Sequence, residues 1–196
     1  MFKGLKLTDV LVTIVISVVF GVIYRVWGDL YNIAKIPGIQ LEQLVYGMWF
    51  MAATVAFLII RKPGVALLAE IAAALTEMLI ASQFGIEALT YGVLQGLFAE
   101  LVFAMYGYKR FGAAVAGLAG IASAVGAFIF DFSKGYLADL QSWNLTLAIV
   151  FRLVGTFIIT GPAAYVLVKA LEKTGVTQLV RPASADDFRA LDKKNI

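Results

Sequence analysis

The 196-residue chain contains no cysteine and no histidine. The first absence removes disulfides, iron–sulfur clusters and thiolate nucleophiles. The second removes His-based triads, the H-E-x-x-H zinc pattern and haem ligation by histidine. Charge is also sparse, with 15% of residues Asp, Glu, Lys or Arg, where an ordinary soluble domain has about 25%. No GxGxxG or Walker sequence, internal repeat, low-complexity segment or paired-acid metal motif is present, so no cofactor or metal is expected. What fills the chain instead is apolar: 61% hydrophobic residues and a mean hydropathy of +0.88.

These residues fall into six stretches, 10–27, 43–60, 64–81, 89–108, 112–131 and 145–171. At about 1.5 Å per residue, each can cross roughly 30 Å of hydrocarbon. The expectation is an all-α membrane protein: six transmembrane helices in one bundle. The first run is too long for a signal-peptide core and lacks a small-residue cleavage site, so it is expected to be retained. Residues 1–180 then form a single domain, followed by a polar cytoplasmic tail, 181–196.

The net charge of +3 does not point to nucleic acid, because the basic residues have a topological pattern. With both termini cytoplasmic, the inner segments carry Lys3, Lys6, Arg61, Lys62, Lys109, Arg110, Lys169, Lys173, Arg181, Arg189, Lys193 and Lys194. Outside lie only Arg25, Lys35 and Lys134. This asymmetry follows the positive-inside rule. Thr8 or Asp9 suits the N-cap of the first helix, and Pro63 the first position of the third. Pro162 should kink the sixth helix by removing the bond to the Ile158 carbonyl. Small residues on helix five (Gly112, Ala116, Gly120, Ser123 and Ala127) and on helix one (Ser17, Gly21) allow close helix approach. Internal packing is the simpler reading for helix five, while an outside partner helix is an equal alternative for Ser17 and Gly21.

Charges inside the membrane carry the most functional information. Glu70, Glu77, Glu100 and Arg152 lie within spans, and Arg25 and Asp131 near their outer ends; each should face the bundle interior and a partner. Helical rise puts Glu77, Gln95, Trp49 and Arg152 roughly 9–11 Å below the outer surface. Tyr46, Tyr91, Tyr24, Phe128 and Asp131 stand above them, and Glu70 and Glu100 below. The arrangement predicts a polar, aromatic cavity in the outer half of the bundle. Four acids against two arginines favour a cationic ligand, with aromatic faces to stack on it. Glu77 is the expected ligand carboxylate, and Glu70 a protonated structural acid. Arg152 is read as a counter-ion to Glu77 or Asp131. Gln95 and Glu100 differ by about 140° around their helix, so if Gln95 lines the cavity, Glu100 turns to a neighbouring helix.

Three stretches go further. LTDVLVTIVISVVFGVIYRVWGDLY (7–31), LIIRKPGVALLAEIAAALTEMLIASQFG (58–85) and YGVLQGLFAELVFAMYGYKRF (91–111) resemble the YkoE family. That family belongs to the substrate-binding (S) components of energy-coupling factor (ECF) ABC transporters and is associated with thiamine and its hydroxymethylpyrimidine precursor. The resemblance spans residues 7–180. It implies a capture subunit of a prokaryotic cell membrane, not an enzyme, taking vitamin from the outer face and working with a transmembrane coupling subunit and ATPase subunits. The expected ligand residues are Glu77, Gln95, Tyr91, Trp49, Glu100, Asp131, Trp143, Asn144 and Tyr46. Many S components meet the coupling subunit through an Ala-x-x-x-Ala face on helix one, where this chain offers Ser17 and Gly21. The alternative reading is a stand-alone secondary transporter or channel using the glutamates as a proton relay.

Overall fold

The computed structural model describes residues 4–180, and the polar tail expected at 181–196 lies outside the described residues. All regular structure among them is helical: α1 (Leu7–Ala34), α2 (Met51–Ile60), α3 (Val65–Leu79), α4 (Glu87–Met105), α5 (Ala113–Ser133), α6 (Ser142–Ile158) and α7 (Ala164–Lys173). A 3-10 stretch, Leu41–Phe50, runs directly into α2, and a π-helical turn, Ile159–Ala163, joins α6 to α7. Among the described residues, five continuous helical stretches are long and apolar enough to cross a membrane: Leu7–Ala34, Leu41–Ile60, Glu87–Met105, Ala113–Ser133 and Ser142–Lys173.

The remaining apolar run forms α3, which has only 15 residues, or roughly 22 Å of helix. Its start is trimmed by the α2–α3 turn. Gly64, in the left-handed region at φ 84°, is the N-cap, so Pro63 precedes the helix instead of opening it. Its end is trimmed by Ala81, which also turns left-handed at φ 64°. The start of α1 differs from expectation in a related way. Lys6 is the N-cap, and Asp9 sits one turn inside, accepting the Lys6 backbone N–H at 2.6 Å. Asp9 also pairs with Lys62, tying α1 to the α2–α3 turn.

α2 is the centre of the bundle. All ten of its residues are buried, which is why MAATVAFLII is apolar all round instead of on one stripe. α3 packs between α1 and α4, and α4 continues onto α5. Small residues set these distances. A Cβ on Gly21 would lie 2.5 Å from Thr76 Cβ, so the Ser17/Gly21 face of α1 is consumed by α3. Both residues are buried, and the outside partner considered for that face has no access to it. On α5, Gly117 and Gly120 seat Phe157 and Thr160, giving that stripe an internal packing role. Pro162 lies inside the π turn, whose wider spacing accommodates the missing N–H.

Candidate functional site

Two connected compartments open toward one end of the bundle. The deeper is a recess of about 20 Å³, room for roughly one water. Its polar lining comes from α3 and α4: Glu70, Glu77 and Gln95, with Tyr24 from α1. Trp49, Phe84 and Tyr91 supply aromatic walls.

The two α3 acids are seven residues apart, on one helix face, and differ in what holds them. Glu70 Oε2 accepts the Ala53 N–H at 3.0 Å and the Tyr24 hydroxyl at 3.3 Å, while Tyr24 in turn accepts the Ala52 N–H at 2.8 Å. Those donors are free because the 3-10 stretch ends there and α2 begins, and a helix start leaves its first N–H groups unpaired. Glu77 Oε1 accepts from Trp49 Nε1 at 3.3 Å and Ser82 Oγ at 3.1 Å. Oε1 of Glu70 and Oε2 of Glu77 are left without hydrogen bonds among the described residues. The Gln95 side-chain amide is likewise unpaired among them, although the residue is 3% exposed. One wall therefore presents a donor and several acceptors with no protein partner.

Above the recess lies a vestibule of about 500 Å³, within the size range of small-molecule sites. Tyr46, Phe84 and Tyr91 line both compartments and form the throat. Arg152 organises the far wall. Its Nη1 lies 2.5 Å from Asp131 Oδ2, and its Nε donates to Gln43 Oε1 at 2.7 Å. The guanidinium is sandwiched by the rings of Tyr46 and Phe128, 3.8 and 4.1 Å from their centroids. Asp131 accepts a second bond from the Tyr91 hydroxyl. A buried arginine is tolerable here because its charge is paired and its planar faces are stacked. At the rim, Glu87 takes Lys134 at 2.7 Å and the Tyr136 hydroxyl at 2.6 Å. The hydrogen bond to Glu87 raises the Lys134 pKa above its ordinary value.

The structure thus brings Glu77, Gln95, Tyr91, Trp49 and Tyr46 to the recess and Asp131 to the vestibule. Three expected residues fall elsewhere. Glu100 accepts the backbone N–H groups of Gly64, Ala66 and Leu67 at 2.6, 3.0 and 3.2 Å. It caps α3 near the opposite end, consistent with its angle from Gln95. Trp143 is 70% exposed at the start of α6, and Asn144 is half-buried beside it; neither lines a compartment. Glu70 moves the other way, from expected structural acid to recess lining. Tyr24, expected in the layer above Glu77, lines the recess, whereas Glu42, Gln43 and Phe84 were not anticipated. Their signal was present only for Gln43, a polar residue opening an apolar run.

A multi-pass helical membrane protein with a ligand-sized vestibule over a polar recess belongs among small-molecule transport components. Comparison with known proteins agrees. Residues 8–128 match the family described as ABC-type cobalt transport system, permease component. The chain is 36% identical over 176 residues to YkoE of Bacillus subtilis (strain 168), a protein named for HMP/thiamine permease function, covering 89% of this chain and 88% of that one. A crystal structure of an S-component of an ECF transporter superposes with a TM-score of 0.86 at 33% identity, covering 98% of this chain and 95% of the other. The chain belongs to the YkoE family of ECF-type S components, which are transporter subunits and not enzymes.

Proposed function

We propose that this protein captures thiamine, or its hydroxymethylpyrimidine precursor, from the outer face of a prokaryotic cell membrane. A transmembrane coupling subunit and ATPase subunits then drive its release inward. The short α3, packed between α1 and α4, would serve as a sixth span and return both termini to the cytoplasm. The clustering of Lys and Arg in the inner segments supports that orientation.

The observation that carries the ligand reading is the unpaired set in the recess: Glu77, Glu70 and Gln95 beside Trp49. An aminopyrimidine offers an amino donor next to ring-nitrogen acceptors. Glu77 suits the amino group, a protonated carboxyl suits a ring nitrogen, and the Gln95 amide completes the edge. Seating such a ring in so small a recess requires the throat to widen, and Phe84 on the α3–α4 turn is the wall least enclosed by helices. An organic ligand also suits the donor set better than a metal ion. The chain has no His or Cys, and no group of three acids stands close enough among the described residues to hold one.

The test is titration of the purified chain with thiamine, followed by tryptophan fluorescence and calorimetry, with hydroxymethylpyrimidine and riboflavin for comparison. Saturable binding of thiamine or the pyrimidine, without riboflavin binding, is the expected result. A folded sample that binds neither overturns the assignment.

A further inference from the structure

Assigning the pyrimidine to the recess leaves one buried carboxylate of the vestibule without a task. Glu42, at the start of the 3-10 stretch, lines the vestibule and is 6% exposed. Its Oε1 accepts from Gln43 Nε2 at 3.2 Å. Its second oxygen has no hydrogen bond, and the residue no ion pair, among the described residues. The neighbouring vestibule acids are satisfied: Asp131 by Arg152 and Tyr91, Glu87 by Lys134 and Tyr136. A nearly buried carboxylate that faces the vestibule without a cationic partner favours a cation there.

The same vestibule already shows where a cation rests. The Lys35 ammonium stands over the Tyr31 ring, 4.7 Å from its centroid, and lines the vestibule. Tyr31 is buried and is fixed by Gln43, whose Nε2 donates to its hydroxyl at 3.2 Å. Lys35 itself is exposed on the turn after α1 and can leave without unmaking the fold. An aromatic face and an unmet carboxylate at one mouth are the two elements that recognise a heteroaromatic or quaternary cation.

We propose that Glu42 and the face of Tyr31 form a cation subsite that selects ligands with a permanent positive charge. Lys35 occupies the aromatic half of it until such a ligand displaces it. This deepens the functional reading above and rests on it. Thiamine carries a fixed charge on its thiazolium, hydroxymethylpyrimidine carries none, and the two share the ring assigned to the recess. The subsite therefore acts on the ratio of their affinities.

The experiment is calorimetric titration of wild type, Glu42→Gln and Lys35→Met with both compounds. Glu42→Gln keeps an oxygen to accept from Gln43. It is expected to lower the thiamine-to-pyrimidine affinity ratio about tenfold, and Lys35→Met to raise it about two- to fivefold. An unchanged ratio in Glu42→Gln, or equal loss of both ligands, overturns the subsite while leaving the capture function standing. So does a wild type that binds only the pyrimidine. A folded wild type that binds neither compound overturns the functional reading itself, and the subsite with it.

Discussion

Three buried glutamates stand on the neighbouring helices α3 and α4, and the structure gives them different work. Glu100 spends both oxygens on the three N–H groups that open α3, whereas Glu77 keeps one oxygen for the recess. Glu77→Gln is expected to weaken thiamine binding at least about tenfold, roughly 1.4 kcal/mol, with the melting temperature in detergent nearly unchanged. Retained affinity in a folded Glu77→Gln protein would remove it from the site. Glu100→Ala should behave in the opposite way. It strands buried donors at about 1–3 kcal/mol each, so the melting temperature drops, while any protein that stays folded keeps the wild-type dissociation constant. The division between Gln95 and Glu100 was legible from helical angle alone. The place of Glu70 was not, because it depends on donors released where a 3-10 stretch changes into an α-helix, a junction that leaves no mark in hydropathy.

That junction belongs to Leu41–Ile60, an element whose two halves look alike in sequence and differ in geometry. The tighter 3-10 winding of Leu41–Phe50 brings side chains three apart into line, and Gln43, Tyr46 and Trp49 all reach the compartments from it. α6 holds this stretch in place at Gly155, where a Cβ would lie 2.0 Å from the Leu44 carbonyl oxygen. Backbone on that side cannot yield cheaply, and overpacking of this kind costs about 1–3 kcal/mol or more. Gly155→Ala is therefore expected to lower the melting temperature and also to weaken ligand binding, because Arg152, one turn earlier on α6, moves with the contact. Gly112→Ala is the control, since nothing stands within 4 Å of its Cβ position. Equal stability of the two variants would show that the α6 contact does not set the site.

Hydropathy made the helical architecture legible, because lipid demands that each crossing segment satisfy its own backbone and bury no unpaired charge. It could not show which helix lies at the centre. Only packing identifies α2, whose ten residues are all buried, and only packing turns the Ser17/Gly21 face of α1 inward. The orientation of the bundle can be tested directly, since the chain has no cysteine to mask a single introduced one. The end of the bundle that carries the α2–α3 turn is drawn together by Asp9 with Lys62 and Arg61 with Glu172, and the vestibule opens at the other. Cysteine at Lys109, in the turn between α4 and α5, should resist a membrane-impermeant maleimide applied to intact cells and react after permeabilisation. Cysteine at Ile36, 80% exposed beside the vestibule mouth, should react without it. The reverse pattern would put the vestibule on the cytoplasmic side, where a capture subunit could not load from outside. Labelling of both positions in intact cells would break the α3 crossing on which the six-span topology depends.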